Sequence, residues 1–302
     1  MTSAPKTSPS ETARPEETPY GWCPSVLRPM PLSDGLMVRI RPWMGTLTRA
    51  QAEGLADLAS RYGAGVVELT NRANLQLRGL SQEDHAALVP QLDDLGLSRV
   101  DRSPSRRVNV TIDPFRAPGG GMDRLARALS ERLSEARWSA LPEKFGFLID
   151  AGRVRRLDGI AGDIRIEACG DALLLRQDGA PNGLRLSDVT EAVEAALAMA
   201  AWFINSGAIG LDGRGRMAQA KAKGLTPPSA LTGDDAPNPA EAPALAGAAF
   251  LHAVGGTLTA DALAQAAASG PFRVTPYRAL LRFEGASASH LVSEEASWNN
   301  AP

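Results

Sequence analysis

Cysteine is almost missing from this chain: Cys23 and Cys169 are the only two in 302 residues, and they form no CxxC. That excludes a disulfide framework and leaves a self-contained zinc or iron–sulfur site without its thiolates. Either cysteine could in isolation be a metal ligand, but a lone cysteine is usually a small core or surface residue. Histidine is equally scarce, and His85, His252 and His290 fall on separate segments that give neither a metal cluster nor a catalytic triad. Long apolar runs are absent too. The most apolar stretch, residues 192–204, is interrupted by Glu194 and is too short to span a bilayer, so no membrane partner is expected. Residues 1–21 are rich in Pro, Thr, Ser and Glu and lack an apolar signal core, which reads as a disordered tail on a cytoplasmic protein. A net charge of -2 and a pI near 6.0 give no reason to expect nucleic acid as the main partner.

What is present is a length that implies about two domains and 44% hydrophobic residues, enough for a sizeable core. There is also an internal echo. Gly45-Thr46-Leu47-Thr48, followed by Arg72-Ala73-Asn74-Leu75-Gln76-Leu77-Arg78-Gly79, returns as Gly256-Thr257-Leu258-Thr259, followed by Arg278-Ala279-Leu280-Leu281-Arg282-Phe283-Glu284-Gly285. The spacing is too long for a solenoid. It implies two related half-domains about a pseudo-twofold axis, with Arg72 and Arg278 on equivalent strands reaching toward a shared cleft.

Leu36, Val38 and Ile40 alternate with Met37, Arg39 and Arg41, which predicts a strand over 35–41 with its arginines on one side. Thr48 with Gln51 is a capping-box signature for a helix reaching Tyr62. Strands are expected over 65–70 and 74–80, and a second helix, capped by Ser81 with Asp84, over 82–95. From residue 104 a different α/β pattern follows. It has strands over 108–112, 145–149, 164–168 and 172–176, an amphipathic helix marked by Leu125, Leu129 and Leu133, and a long helix from Asp188 to Asn205. The expected boundaries are 22–103 for the first unit, 104–223 for the second domain, 224–247 for a Pro/Ala/Asp/Gly linker or mobile loop, and 248–302 for the returning unit.

Arg72, Arg78, Arg106, Arg107, Arg116 and Lys144 fall on strand ends and loops rather than on a solvated helix face. Guanidinium groups bind carboxylates in a bidentate fork, and several converging on one cleft suit a polycarboxylate ligand. Each taken alone is an ordinary surface residue. Gly119-Gly120-Gly121 before a helix offers backbone N–H groups to an anion but lacks the lysine of a P-loop; a plain turn is the equal alternative.

Four ordered segments carry a family resemblance: Asp34-Gly35-Leu36-Met37-Val38-Arg39-Ile40, Leu69-Thr70-Asn71-Arg72-Ala73-Asn74-Leu75-Gln76-Leu77, Arg107-Val108-Asn109-Val110 and Leu141-Pro142-Glu143-Lys144-Phe145-Gly146-Phe147. In this order they resemble the sirohaem-type nitrite and sulfite reductases. The Lys-Phe-Gly-Phe form and Thr275-Pro276-Tyr277-Arg278-Ala279 look closest to the precorrin-3B synthases of aerobic cobalamin biosynthesis. The resemblance implies an α+β fold of pseudo-twofold, duplicated ferredoxin-like half-domains with an intervening α/β sirohaem/Fe–S-type domain. It implies tetrapyrrole contacts from Arg72, Arg107 and Lys144, joined by Arg278, with Arg39, Asn74, Gln76, Arg78, Arg106 and Arg116 as further contacts. The implied activity is oxidoreductase: O2-dependent hydroxylation and lactone formation on precorrin-3A, with an electron donor as partner. The alternatives are a nitrite or sulfite reductase, or a non-catalytic tetrapyrrole-binding protein. Gly146 stands where the reductases carry a second lysine, which favours the precorrin reading over reduction of a small anion. The implied cofactors are a [4Fe–4S] cluster and a haem-type or non-haem iron. The four cluster cysteines of the family follow the second half-unit, neither Cys23 nor Cys169 matches them, and the chain is expected to be a truncated or a degenerate relative.

Overall fold

The structure is a computed structural model that describes residues 23–102, 108–241, 250–252 and 256–282. The expected tail, Arg106, Arg107, His290 and residues 242–247 of the expected linker lie outside the described residues.

The chain opens with strands β1 (Met30–Leu32), β2 (Gly35–Ile40) and β3 (Thr46–Leu47), helix α1 (Arg49–Tyr62), strands β4 (Val66–Leu69) and β5 (Leu75–Leu80), and helices α2 (Gln82–Asp94) and α3 (Arg99–Arg102). Both expected capping boxes form: Thr48 and Ser81 accept from the backbone N–H of Gln51 and Asp84, whose side chains reach back to the cap. The second domain contributes β6 (Asn109–Ile112), α4 (Gly121–Arg132), β7 (Gly146–Asp150), β8 (Ile164–Cys169), β9 (Ala172–Gln177), β10 (Leu184–Leu186), α5 (Val189–Asn205) and α6 (Met217–Ala222). The returning unit supplies β11 (Phe250–His252), β12 (Thr257–Thr259), α7 (Ala260–Ala267), β13 (Phe272–Val274) and β14 (Ala279–Arg282).

Apart from β1, which has no counterpart among the described residues, the two half-units correspond in strand order. The first sheet runs β1-β2-β5-β4-β12 and its counterpart β11-β14-β13-β3. Each half lends its short strand to the other: β12 pairs antiparallel with β4, and β3 pairs antiparallel with β13. The following helices, α1 and α7, then pack on each other. A single core including Leu47, Leu55, Leu58, Val67, Leu77, Leu258, Leu263 and Phe272 is therefore common to both halves. Each fully buried leucine contributes roughly 1.5–3 kcal/mol of apolar transfer, and neither half buries this face without the other.

The second domain is a five-stranded sheet of order β10-β9-β8-β7-β6, parallel from β6 to β8 and antiparallel beyond. Its core draws Leu125 and Leu129 from α4 and Leu197 and Phe203 from α5. Charges inside it are paired: Glu167 takes a bidentate fork from Arg176 at 2.7 and 2.8 Å, and Asp163 binds Arg216 at 2.9 Å. The described part of the expected linker runs along this sheet, with bridges from Ala240 to Arg155 and from Asp235 to Gly183. Asn238 ties it further, its carbonyl accepting from Arg155 Nε at 2.7 Å and its side-chain oxygen from the Gly170 N–H at 2.9 Å.

Candidate functional site

The basic side of β2 continues into the turn Trp43-Met44-Gly45. There Met44 (φ 53°) and Gly45 (φ 64°) both take left-handed backbone, a strained arrangement for methionine. The turn forms one wall of a cleft of about 320 Å³. The second wall is the β4–β5 corner with Arg72, Ala73 and Asn74, and the third is β6 with the end of α4. Four guanidinium groups line it, those of Arg41, Arg72, Arg99 and Arg116.

Each arginine is held differently. The Thr70 hydroxyl accepts from the N–H of Arg72 at 3.3 Å and of Asn74 at 3.1 Å, and the Thr70 N–H closes the corner onto the Asn74 carbonyl at 2.9 Å. From that corner Arg72 Nη2 donates to the Lys144 carbonyl at 2.9 Å. Burial, then the nearby Arg216, holds the Arg72 guanidinium below its ordinary pKa, with Cys23 and Asp163 acting the other way. The group stays charged at neutral pH, short of countercharge. Arg41 is buried and also lowered, chiefly by desolvation, against the attraction of Asp101 at 3.7 Å. Arg99 stacks on the Trp43 ring, 4.1 Å from its centroid. Arg116 is a clamp: its guanidinium grips Asp123, the Asp113 carbonyl at 3.3 Å and, across the domain boundary, the Met44 carbonyl at 2.8 Å. Arg273 on β13 secures the same loop from the other half, donating to the Pro114 carbonyl at 2.7 Å and to the Arg116 carbonyl. Trp43 Nε1 is buried at the cleft with no hydrogen-bond partner among the described residues, a donor awaiting an acceptor.

Of the residues singled out from sequence, the structure brings Arg72, Asn74 and Arg116 to this cleft. Lys144 adjoins it through its backbone, and its side chain is exposed. Arg39, Gln76 and Arg278 line a different, polar cleft. Arg78 is occupied by Glu68 at 3.0 Å and Asp34 at 3.4 Å. The Gly119 N–H is taken by Asp123 at 2.7 Å, so the glycine loop is closed by the chain's own carboxylate. Arg41, Arg99 and Trp43 were missed; for Arg41 the alternation that puts it on one side with Arg39 was the available signal.

The expectation that Arg278 is the counterpart of Arg72 is corrected by one residue. Thr275 closes its corner as Thr70 does, its N–H donating to the Ala279 carbonyl at 3.0 Å and its hydroxyl accepting from Tyr277 and Ala279 at 3.3 Å. Thr70 thus matches Thr275, Arg72 matches Tyr277, and the left-handed position held by Ala73 (φ 54°) is Arg278 (φ 58°) in the second half. A slip of one residue sends the side chain elsewhere, which is why the two arginines occupy different clefts.

Residues 29–95 match the nitrite/sulfite reductase ferredoxin-like half domain family. The chain is 37% identical over 155 residues to a precorrin-3B synthase from Sinorhizobium sp, a match covering 49% of this chain and 32% of that protein. It is 31% identical over 149 residues to a ferredoxin–nitrite reductase from Synechococcus elongatus, covering 44% and 28%. The matched segments span about a third of these relatives' length. Among solved structures, the NirA protein of Mycobacterium tuberculosis shares the fold with a TM-score of 0.57 at 17% identity, over 85% of this chain and 56% of that one. The half-domain match lies on the strands and corner that build the arginine cleft, and over the matched segments the chain is similar to a precorrin-3B synthase and to ferredoxin–nitrite reductases.

Proposed function

We propose that the chain is precorrin-3B synthase-like and that its arginine cleft holds the carboxylate rim of a tetrapyrrole substrate. The carrying observation is the convergence of Arg41, Arg72 and Arg99 around the unpartnered Trp43 Nε1. A ring bearing acetate and propionate groups supplies further negatively charged acceptors for these partly desolvated guanidinium groups. In this reading Arg72 and Arg41 neutralise rim carboxylates, Arg99 with Trp43 provides a flat cationic platform, and Arg116 fixes the turn on which they stand. Arg107 and Lys144 are assigned to the same rim by resemblance. The reaction class is hydroxylation of the macrocycle by O2 with lactone formation from a ring acetate; one oxygen atom enters the product, and the other leaves as water with two electrons from an external donor.

The family implies a [4Fe–4S] cluster and an iron centre, and the described residues do not fit either. A cluster needs four thiolates. The Cys23 N–H instead bonds Glu143, and Cys169 lies beside Asp235 and Arg185. No group of three or more His, Cys, Asp or Glu side chains converges among the described residues.

A reductase of the nitrite type is the second reading, favoured by the 31% identity to that enzyme and opposed by Gly146. Titration with uroporphyrin, a macrocycle rimmed by acetates and propionates, followed by absorbance, tests the cleft. Arg72→Ala is expected to weaken binding by about 1.5–3 kcal/mol, the range for hydrogen bonds to charged groups, and added salt to weaken the wild type. An unchanged affinity in the variant overturns the assignment.

A further inference from the structure

The corners of the two half-units reach the α/β domain through equivalent residues. Arg72 and Tyr277 stand at the same place after Thr70 and Thr275, and both are half-buried. Arg72 Nη2 donates to the Lys144 carbonyl at 2.9 Å, just before β7, and the Tyr277 hydroxyl donates to the Arg156 carbonyl at 2.7 Å, beyond the other end of that strand. The strand is thus gripped at both ends, once by a cation of the arginine cleft and once by a phenol that lines neither cleft.

Arg156 is the hub of the second grip. Its N–H donates to Asp150 at 3.0 Å, its guanidinium donates to Asp113 at 3.3 Å and lies 4.9 Å from the centroid of the Phe115 ring, and its carbonyl takes the Tyr277 hydroxyl. Asp113 continues the contacts toward the cleft. Its N–H donates to the Ile149 carbonyl at 2.8 Å, which seats the end of β6 on β7, and its carbonyl accepts from Arg116 Nη1 at 3.3 Å. Arg116 in turn holds the Met44 carbonyl, on another wall of the cleft, at 2.8 Å. Every link is a directional hydrogen bond, so a displacement of Arg156 carries into the segment 113–116 that ties two walls together.

Packing alone does not account for the hydroxyl, because phenylalanine would fill nearly the same volume. Burial, with Asp113 and Asp150 close by, pushes the Tyr277 phenol above its ordinary pKa, so it stays a donor at neutral pH. Arg273 of the same half-unit secures the Pro114 and Arg116 carbonyls directly; Tyr277 adds a second hold, through Arg156.

We propose that Tyr277 is a positioning residue for the arginine cleft, fixing the β6 wall and Arg116 against the Met44 turn by way of Arg156 and Asp113. The two half-units then divide the work at equivalent positions: the first supplies Arg72 as charge for the ligand, and the second supplies Tyr277 as a point of anchorage. The inference rests on the tetrapyrrole reading for its ligand, while the hydrogen-bonded path stands without it.

The test compares Tyr277→Phe, which keeps the ring and removes the donor, with Tyr62→Phe, which removes a hydroxyl bonded to Gln91 at 2.8 Å and away from both clefts. Uroporphyrin titration of the full chain should find Tyr277→Phe weaker by about three- to tenfold, the size of one neutral hydrogen bond, and Tyr62→Phe within about twofold of the wild type. Replacing Tyr277 by 4-aminophenylalanine restores a para N–H donor and should restore the affinity. Hydrogen exchange without ligand should quicken in Tyr277→Phe at the amides of Asp113, Phe115, Arg156 and Leu157 and not across the helices. Wild-type affinity in Tyr277→Phe, when Arg72→Ala binds weakly, overturns the proposal and leaves the reading of the cleft standing. Unchanged binding in Arg72→Ala, or none by the wild type, overturns that reading instead, and exchange then decides on Tyr277: unaltered rates at those amides, or a rise shared by the whole chain, refute its role.

Discussion

Two carboxylates that touch neither cleft make the stability of this protein depend on pH with an unusual sign. Asp113, just after β6, and Asp150, the last residue of β7, are fully buried at the junction with the second half-unit. Asp150 accepts from the N–H of Arg156 at 3.0 Å and of Leu157 at 2.6 Å. Asp113 accepts from the Phe115 N–H at 2.9 Å and Arg156 Nη1 at 3.3 Å, and the Tyr277 hydroxyl donates to the Arg156 carbonyl at 2.7 Å. Burial first and Asp113 second push the Asp150 carboxyl from its ordinary 3.8 up to about 7. Between those two values the folded state holds a proton that the unfolded chain has released, so stability falls as pH rises through this window and is level above it. At about 1.4 kcal/mol per unit, the range from pH 5 to pH 7 corresponds to roughly 2–3 kcal/mol. Asp150→Asn cannot titrate; it keeps an oxygen for only one of the two N–H groups, a loss present at every pH that cancels when the two pH values are compared. Urea unfolding of both proteins at pH 5 and pH 8 should find the variant gaining roughly 2–3 kcal/mol on the wild type between the two. Carboxylates held low by their partners, such as Asp84 by Ser81 and Asp93 by Arg102, act in the opposite sense but cancel in the difference. A difference that does not change with pH, or changes the other way, refutes the reasoning.

The clamp between the returning half-unit and the α/β unit yields a second expectation: Arg273→Met removes the donors to Pro114 and Arg116 and should destabilise by about 2–4 kcal/mol. It should also weaken uroporphyrin binding in the wild-type background but not in Arg116→Ala; thermal unfolding with a double-mutant cycle on affinity measures both, and additive effects count against the clamp. Gly183→Ala places a Cβ 2.2 Å from the Leu175 carbonyl oxygen. Because the obstacle is backbone, the loss should exceed about 2 kcal/mol, and an unaltered denaturation midpoint contradicts the packing described.

How much of this was legible in the sequence follows from the range over which each signal acts. Capping boxes and strand alternation are local, and the helices and strands they predicted over 35–80 and 108–205 are observed to within a residue or two. The Gly-Thr-Leu-Thr echo located both helix starts, since Thr48 and Thr259 each cap the helix that follows, but the short strands within it were not foreseen. It carried no information that β3 and β12 change places between sheets, because exchange is decided by pairing partners far apart in the chain.

The Arg-Ala echo illustrates a different limit. Letter identity aligned Arg72 with Arg278, whereas the chain aligns Thr70 with Thr275, the hydroxyl that closes each corner. The hydrogen-bonding residue sets the register, and the arginine is free to move along it by one position. That single step places Arg72 and Arg278 in different clefts. Trp43 reaches the first cleft through the left-handed Met44-Gly45 turn that follows Arg41, a conformation that neither composition nor periodicity encodes, and Arg99 joins it from α3 by stacking on the Trp43 ring. The frame of two half-units was therefore readable from repeats and caps, whereas the lining of the cleft was not, because it rests on where the two half-units depart from one another.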